Sequence, residues 1–158
     1  MKKFILFIIF VFAFQISYKI IPISAQEDED TQKVKMVVET FLKYLAYRDI
    51  DSAMQHISIN YLEGEGENII DYARFKSSVV NRINTFFKNH TDYSISEPQL
   101  NNLNIKDSKA TVEVEFNWKG FNLDTLKEEG GKAQRSVILV KEDGSWKITQ
   151  WRFLQRTE

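Results

Sequence analysis

The 158-residue sequence has no cysteine, two prolines and two histidines, and its charges nearly balance, with 21 Lys and Arg against 22 Asp and Glu. Without cysteine there is no disulfide framework, no thiolate zinc site and no cysteine nucleophile. The two histidines are not spaced as a pair of metal ligands, so no metal is expected. A formal net charge of −1 excludes a strongly basic nucleic-acid binder. Gly64-Glu65-Gly66 lacks the Lys-Ser/Thr ending of a phosphate loop and is flanked by acids that repel phosphate. No serine sits in a Gly-flanked elbow, and no cofactor is implied. What is present is a globular composition, 43% hydrophobic, long enough for one core.

Met1-Lys2-Lys3 is a positive start, and Phe4 to Phe14 is almost purely apolar. Polar residues follow at Gln15, Ser17 and Lys19, and the stretch ends Pro22-Ile23-Ser24-Ala25. The uninterrupted run is shorter than the roughly 20 apolar residues of a membrane span, which predicts a signal peptide over 1–25, cleaved after Ala25, and an exported (periplasmic or extracellular) protein. The alternative is an uncleaved N-terminal anchor, and membrane association is expected only in that case. Residues 26–33 open with Gln26-Glu27-Asp28-Glu29-Asp30 and read as a solvated acidic terminus leading into a helix. The domain proper is placed at 34–158.

Val34, Val37, Val38, Phe41 and Leu45 recur at helical spacing and predict a helix from about Thr31 to Tyr47. Asp49 or Asp51 can cap a short second helix carrying Ile50, Ala53, Met54 and Ile57. After a Gly-containing loop, Asp71 caps a third helix with Tyr72, Phe75, Val79, Ile83 and Phe86 on one side. It ends near Asn89-His90. From Tyr93 the period becomes two. Tyr93-Ser94-Ile95-Ser96 and Leu100-Asn101-Asn102-Leu103-Asn104-Ile105 read as one strand, or as two pieces interrupted near Pro98. Ala110, Val112, Val114, Phe116 and Trp118 alternate with polar residues. Gly120 to Gly131 is expected to be a long connection, Arg135 to Lys141 a strand, Asp143-Gly144 a hairpin turn, and Trp146 to Phe153 the last strand. Helices followed by a meander of strands make an α+β domain.

The helix, the turn at Tyr47-Arg48-Asp49-Ile50-Asp51-Ser52-Ala53, the second and third helices and the closing Val137-Ile138-Leu139-Val140-Lys141-Glu142-Asp143-Gly144-Ser145-Trp146-Lys147-Ile148 resemble the nuclear transport factor 2-like superfamily, which includes ketosteroid isomerase and SnoaL-like proteins. The resemblance spans about Val34 to Phe153. It implies N-terminal helices packed on a curved antiparallel sheet, a cone-like, cystatin-like architecture with a pocket at its open end and frequent dimers through the sheet. Isomerase-type members use carboxylates projecting into the cone. Here the inner parity is Val112, Val114, Phe116 and Trp118, with Glu113 and Glu115 on the other face. In the last strand the parity of Trp146 and Ile148, carried on, reaches Gln150 and Arg152. No catalytic carboxylate is therefore carried over.

The expected function is an exported, non-catalytic module that binds a small apolar ligand or another protein. The alternatives are a small pocket enzyme of isomerase, dehydratase or hydrolase type acting on an apolar substrate through Lys76, His56 or a tyrosine, and a membrane-anchored accessory domain of an envelope assembly. Tyr44, Tyr61, Lys76, Trp118, Trp146 and Gln150 are the pocket candidates. His56 and His90 read as a rim residue and a helix-end residue. Trp151 and Phe153 have the opposite parity to Ile148 and are expected on the outer sheet face, as an interface for a homodimer or partner.

Overall fold

The computed structural model describes residues 23–154, with side chains from residue 29. The expected leader lies outside the described residues up to residue 22. Helix α1 (Ile23–Ala46) starts well before the expected Thr31. It stops where Arg48 turns to a φ of 63°. Helix α2 (Ile50–Met54) follows at once, and the Asp49 carboxylate accepts from the Ser52 N–H at 3.1 Å, satisfying a donor that the first turn leaves free. Two short antiparallel strands, β1 (Leu62–Glu63) and β2 (Ile70–Asp71), enclose a single 3-10 turn. Helix α3 (Tyr72–Asn89) is capped by Asp71, which accepts from the Arg74 N–H at 2.8 Å.

The remaining chain is a meander: β3 (His90–Ile95), β4 (Gln99–Lys106), β5 (Lys109–Asn122), β6 (Lys127–Glu142) and β7 (Ser145–Phe153). The ladders among these five strands are all antiparallel, and one isolated parallel bridge joins Ile57 to Ile148. Strands β3 and β4 lie end to end along one side of β5, and β6 and β7 follow on the other. The result is an α+β domain in which N-terminal helices pack on a curved antiparallel sheet. Asp143 and Gly144 both have positive φ, 48° and 80°, as the tight hairpin between β6 and β7 requires.

The expected long connection from Gly120 to Gly131 is instead mostly ladder. Pairing continues from Trp118↔Gly131 to Asn122↔Lys127, leaving only residues 123–126 as the turn. Three glycines and the run Glu128-Glu129 hide the alternation, while backbone hydrogen bonding continues regardless of side chain. Gly131 also has a packing reason. A Cβ there would come 3.2 Å from Trp118 Nε1, so the indole can lie across the glycine only because nothing projects from it.

The core lies between α1 and the concave face of the sheet. Val34, Val38 and Phe41 meet Val112 and Val114 of β5, Val137 and Leu139 of β6, and Trp146 and Ile148 of β7, all buried. Each large apolar side chain contributes on the order of 1.5–3 kcal/mol by leaving water. The acidic terminus is not wholly solvated as expected. Asp30 is helical, and its side chain is only 8% exposed. It accepts from Lys141 Nζ at 2.9 Å and from the Trp146 indole N–H at 3.0 Å. Paired and hydrogen-bonded in this way, a carboxylate can be buried at the sheet edge of α1.

Strand β7 departs from simple alternation. Leu139 lies opposite Ile148, but the next residue of β6 toward the amino end, Ile138, lies opposite Gln150. Thr149 is the extra residue of a bulge, and its hydroxyl donates to the Ile138 carbonyl at 3.2 Å. One inserted residue reverses which face every later side chain occupies. Trp151 therefore lies across from buried Val137, and Phe153 across from Arg135.

Candidate functional site

A cavity of about 640 Å³ opens between α3 and the concave sheet face. Its inner wall is aromatic, with Phe41, Phe75, Phe86, Phe116, Trp118 and Trp151 lining it. The ring of Trp151 meets Phe41 edge-on at 5.0 Å, and Trp118 meets Phe86 in the same manner at 5.6 Å. Such edge-to-face pairs fix ring positions as well as removing apolar surface from water. Toward solvent stands Phe153, 59% exposed.

Two arginines share this outer rim. Arg82 comes from α3 and Arg135 from β6, and both line the cavity. The Arg135 guanidinium lies 3.8 Å from the centre of the Phe153 ring, and that of Arg82 lies 5.6 Å from it. Arg135 Nη1 donates to the Gln134 carbonyl at 2.8 Å. Burial, and then the neighbouring Arg82 charge, hold the Arg135 guanidinium below its ordinary value. Tyr93 stands on the same wall, and burial pushes its hydroxyl up.

The wall also carries a carboxylate, Glu63, which parity along the long strands could not reveal because it comes from the two-residue β1. The Tyr61 hydroxyl donates to Glu63 and accepts from the Trp151 N–H at 3.0 Å. Burial, reinforced by Glu63, pushes that hydroxyl far above the ordinary tyrosine value, so it stays a donor at any working pH.

The expected pocket residues scatter. Trp118 lines the cavity. Tyr61 is buried behind it, stacked on Phe75 at 4.3 Å. Trp146 belongs to the core and bonds Asp30. Tyr44 stacks on His56 at 5.9 Å instead. Lys76 points outward to Asp51 at 2.9 Å, the usual outcome for a lysine at the margin of an apolar stripe. Gln150 donates to the Leu62 carbonyl at 3.0 Å, tying β1 to β7. Trp151 and Phe153, expected on the outer face, line the cavity because of the Thr149 bulge, so they are not contacts for a dimer through that face. Glu113 and Glu115 stay on the outer parity, where Asn102 donates to Glu113 and Gln134 donates to Glu115.

The two arginines left traces in the sequence. Arg135 shares the parity of Val137 and Leu139. Arg82 falls with Phe75, Val79 and Phe86 at successive helical spacings of three and four. Among the described residues no three His, Asp or Glu side chains gather as a metal site, and no helix is long and apolar enough to cross a membrane.

No protein-family profile matches the chain, and no curated protein matches it in sequence. Solved structures do match. A nuclear transport factor 2-like superfamily protein from Salmonella enterica serovar Typhimurium superposes with a TM-score of 0.64 at 10% identity, over 84% of this chain and 96% of that one. The chain has a nuclear transport factor 2-like fold. A ketosteroid isomerase-like protein from Erwinia carotovora atroseptica matches at 0.59 and 15% identity, over 78% of this chain and 94% of the other. The association domain of C. elegans CaMKII matches at 0.55 and 18% identity, over the same shares of the two chains, 78% and 94%. At these identities the likeness is one of fold, and a nuclear transport factor 2-like fold carries both enzymes and non-catalytic binding modules.

Proposed function

We propose that the protein is an exported, non-catalytic binding module whose aromatic cavity holds a small apolar ligand. The observation that carries this function is the cavity itself, about 640 Å³ with a largely aromatic wall, inside the size range of small-molecule sites. Its one lining carboxylate, Glu63, is taken up by the Tyr61 hydroxyl. Of the groups the pocket-enzyme alternative would use, Lys76 turns outward to Asp51 and His56 stacks on Tyr44 outside the cavity lining. The Tyr93 hydroxyl, which does line it, is pushed up by burial.

Binding of the neutral dye phenylnaphthylamine tests the cavity. Its fluorescence should rise saturably with the wild-type protein. Ala133→Trp, which fills the wall from β6, should abolish the rise with an unchanged circular dichroism spectrum. No saturable rise with wild type, or equal binding by the folded variant, would remove the cavity as a ligand site.

Export is supported by Met1-Lys2-Lys3 and the apolar run that follows. Self-association, expected through the outer sheet face, draws support only in its general form from the fold's likeness to an association domain. Native mass spectrometry of protein recovered from the producing cells addresses both. The expected species is a dimer of chains beginning at Gln26. A chain retaining Met1 would favour the anchored alternative, and a monomer at all concentrations would end the dimer.

A further inference from the structure

The cavity is apolar in its depth but cationic at its rim, and the rim charges are uncompensated. Arg82 and Arg135 approach the same face-exposed ring, Phe153, from two different elements. Among the described residues neither makes an ion pair. Yet Arg135 is half-buried, and its ladder partner on β5 is the buried Val114. A half-buried guanidinium beside a second one has a desolvation cost and a repulsion. The Gln134 carbonyl and the Phe153 ring offset part of the first, but no carboxylate among the described residues pairs with either arginine. The nearest acid on the wall, Glu63, is engaged by Tyr61, and the local formal charge of the lining is positive.

We propose that the ligand of this cavity is an organic anion, a carboxylate on a flat apolar ring system, with its head between Arg82 and Arg135 and its rings on the aromatic wall. This rests on the cavity being the ligand site. A carboxylate matches the planar fork of a guanidinium, and two such forks from different elements can hold both its oxygens. The body must be apolar because beyond the arginines the wall offers Phe41, Phe116, Trp118 and Trp151 and few hydrogen-bonding groups. Rings suit these faces better than a flexible chain, since stacking adds to burial and little rotational freedom is lost. Phe153, with Arg135 stacked on it, keeps that guanidinium aimed at the opening.

A matched pair of probes separates charge from shape: naphthalene carboxylate and its neutral carboxamide, titrated against the tryptophan fluorescence of Trp118 and Trp151. The carboxylate should bind about tenfold or more tighter to the wild type, the scale of one charge-assisted hydrogen-bonded contact. That preference should shrink with added salt. In Arg82→Gln/Arg135→Gln it should fall to near parity while carboxamide affinity holds. Arg82→Gln alone changes only an exposed position on α3. It should lose part of the preference, which keeps the test available if Arg135→Gln does not fold. Equal affinities in the wild type, or a preference that survives both substitutions, would overturn the anionic ligand. If phenylnaphthylamine still binds and Ala133→Trp blocks it, the cavity function stands and only the anion is lost. If neither naphthalene probe nor the dye binds, both fall together.

Discussion

The backbone N–H of Trp151 donates to the side-chain hydroxyl of Tyr61 at 3.0 Å, ninety positions away in sequence. The bulge at Thr149 interrupts the ladder just before Trp151, and Tyr61 provides this N–H with a side-chain acceptor. The same hydroxyl donates to Glu63 on the cavity wall. A single buried phenol thus fixes both the strand that carries Trp151 and the short strand that carries Glu63.

Tyr61→Phe keeps the ring stacked on Phe75 and removes only the oxygen. It leaves the Trp151 N–H without its partner, so the variant should be less stable by about 1–3 kcal/mol. Urea unfolding followed by tryptophan fluorescence measures this. An unchanged midpoint would mean that the hydroxyl contributes nothing to holding β7.

Asp30 predicts an acid-sensitive attachment of α1. Burial pushes its carboxyl up, but hydrogen bonds from Lys141 and Trp146 and the Lys141 charge outweigh that, so it lies below the ordinary value. A depressed folded value contributes stability above the unfolded value of about 3.9 and loses it as pH falls through the folded one. Asp30→Asn should cost about 1–3 kcal/mol at neutral pH. Wild type and variant should converge as the pH falls below about 4. Denaturation midpoints at several pH values test this, and a gap that stays constant into acid would contradict it.

The two histidines should titrate on opposite sides of the ordinary value. Hydrogen bonding to Glu129 raises His90, whose other ring nitrogen donates to the Phe86 carbonyl at 2.9 Å. With a carboxylate and a carbonyl both accepting, the protonated ring is the form that satisfies both. Its stabilising effect is full below the unfolded value and is lost as pH rises through the folded one. Burial and then the Lys147 charge lower His56. Proton NMR should show two separated titrations, and Glu129→Gln should move only the higher one downward. Coincident curves would refute the contrast.

Local patterns made much of the fold legible. The caps at Asp49 and Asp71 and the Asp143-Gly144 turn are short-range chemistry, and the alternation of Ala110 to Trp118 needs only one wet face. The nuclear transport factor 2-like resemblance followed from these elements and their order. What escaped was long-range or irregular. Asp30 meets partners more than a hundred positions away. Glu63 reaches the cavity from a strand too short to have a period. The bulge left only a faint trace, two adjacent polar residues, Thr149 and Gln150, between Ile148 and Trp151. Continuing the alternation through them placed Trp151 and Phe153 outside, and the arginine that faces Phe153 was missed with them.

Because that irregularity falls in the middle of β7, the strand divides its labour along its length. Trp146 and Ile148 are committed to the interior and tolerate little change in volume. Trp151 sits between the core and the cavity, held edge-on against buried Phe41. Phe153 borders open space, where a larger, smaller or differently shaped side chain alters what fits without disturbing the packing upstream. Selectivity can therefore be retuned at one end of a strand whose other end keeps the domain folded.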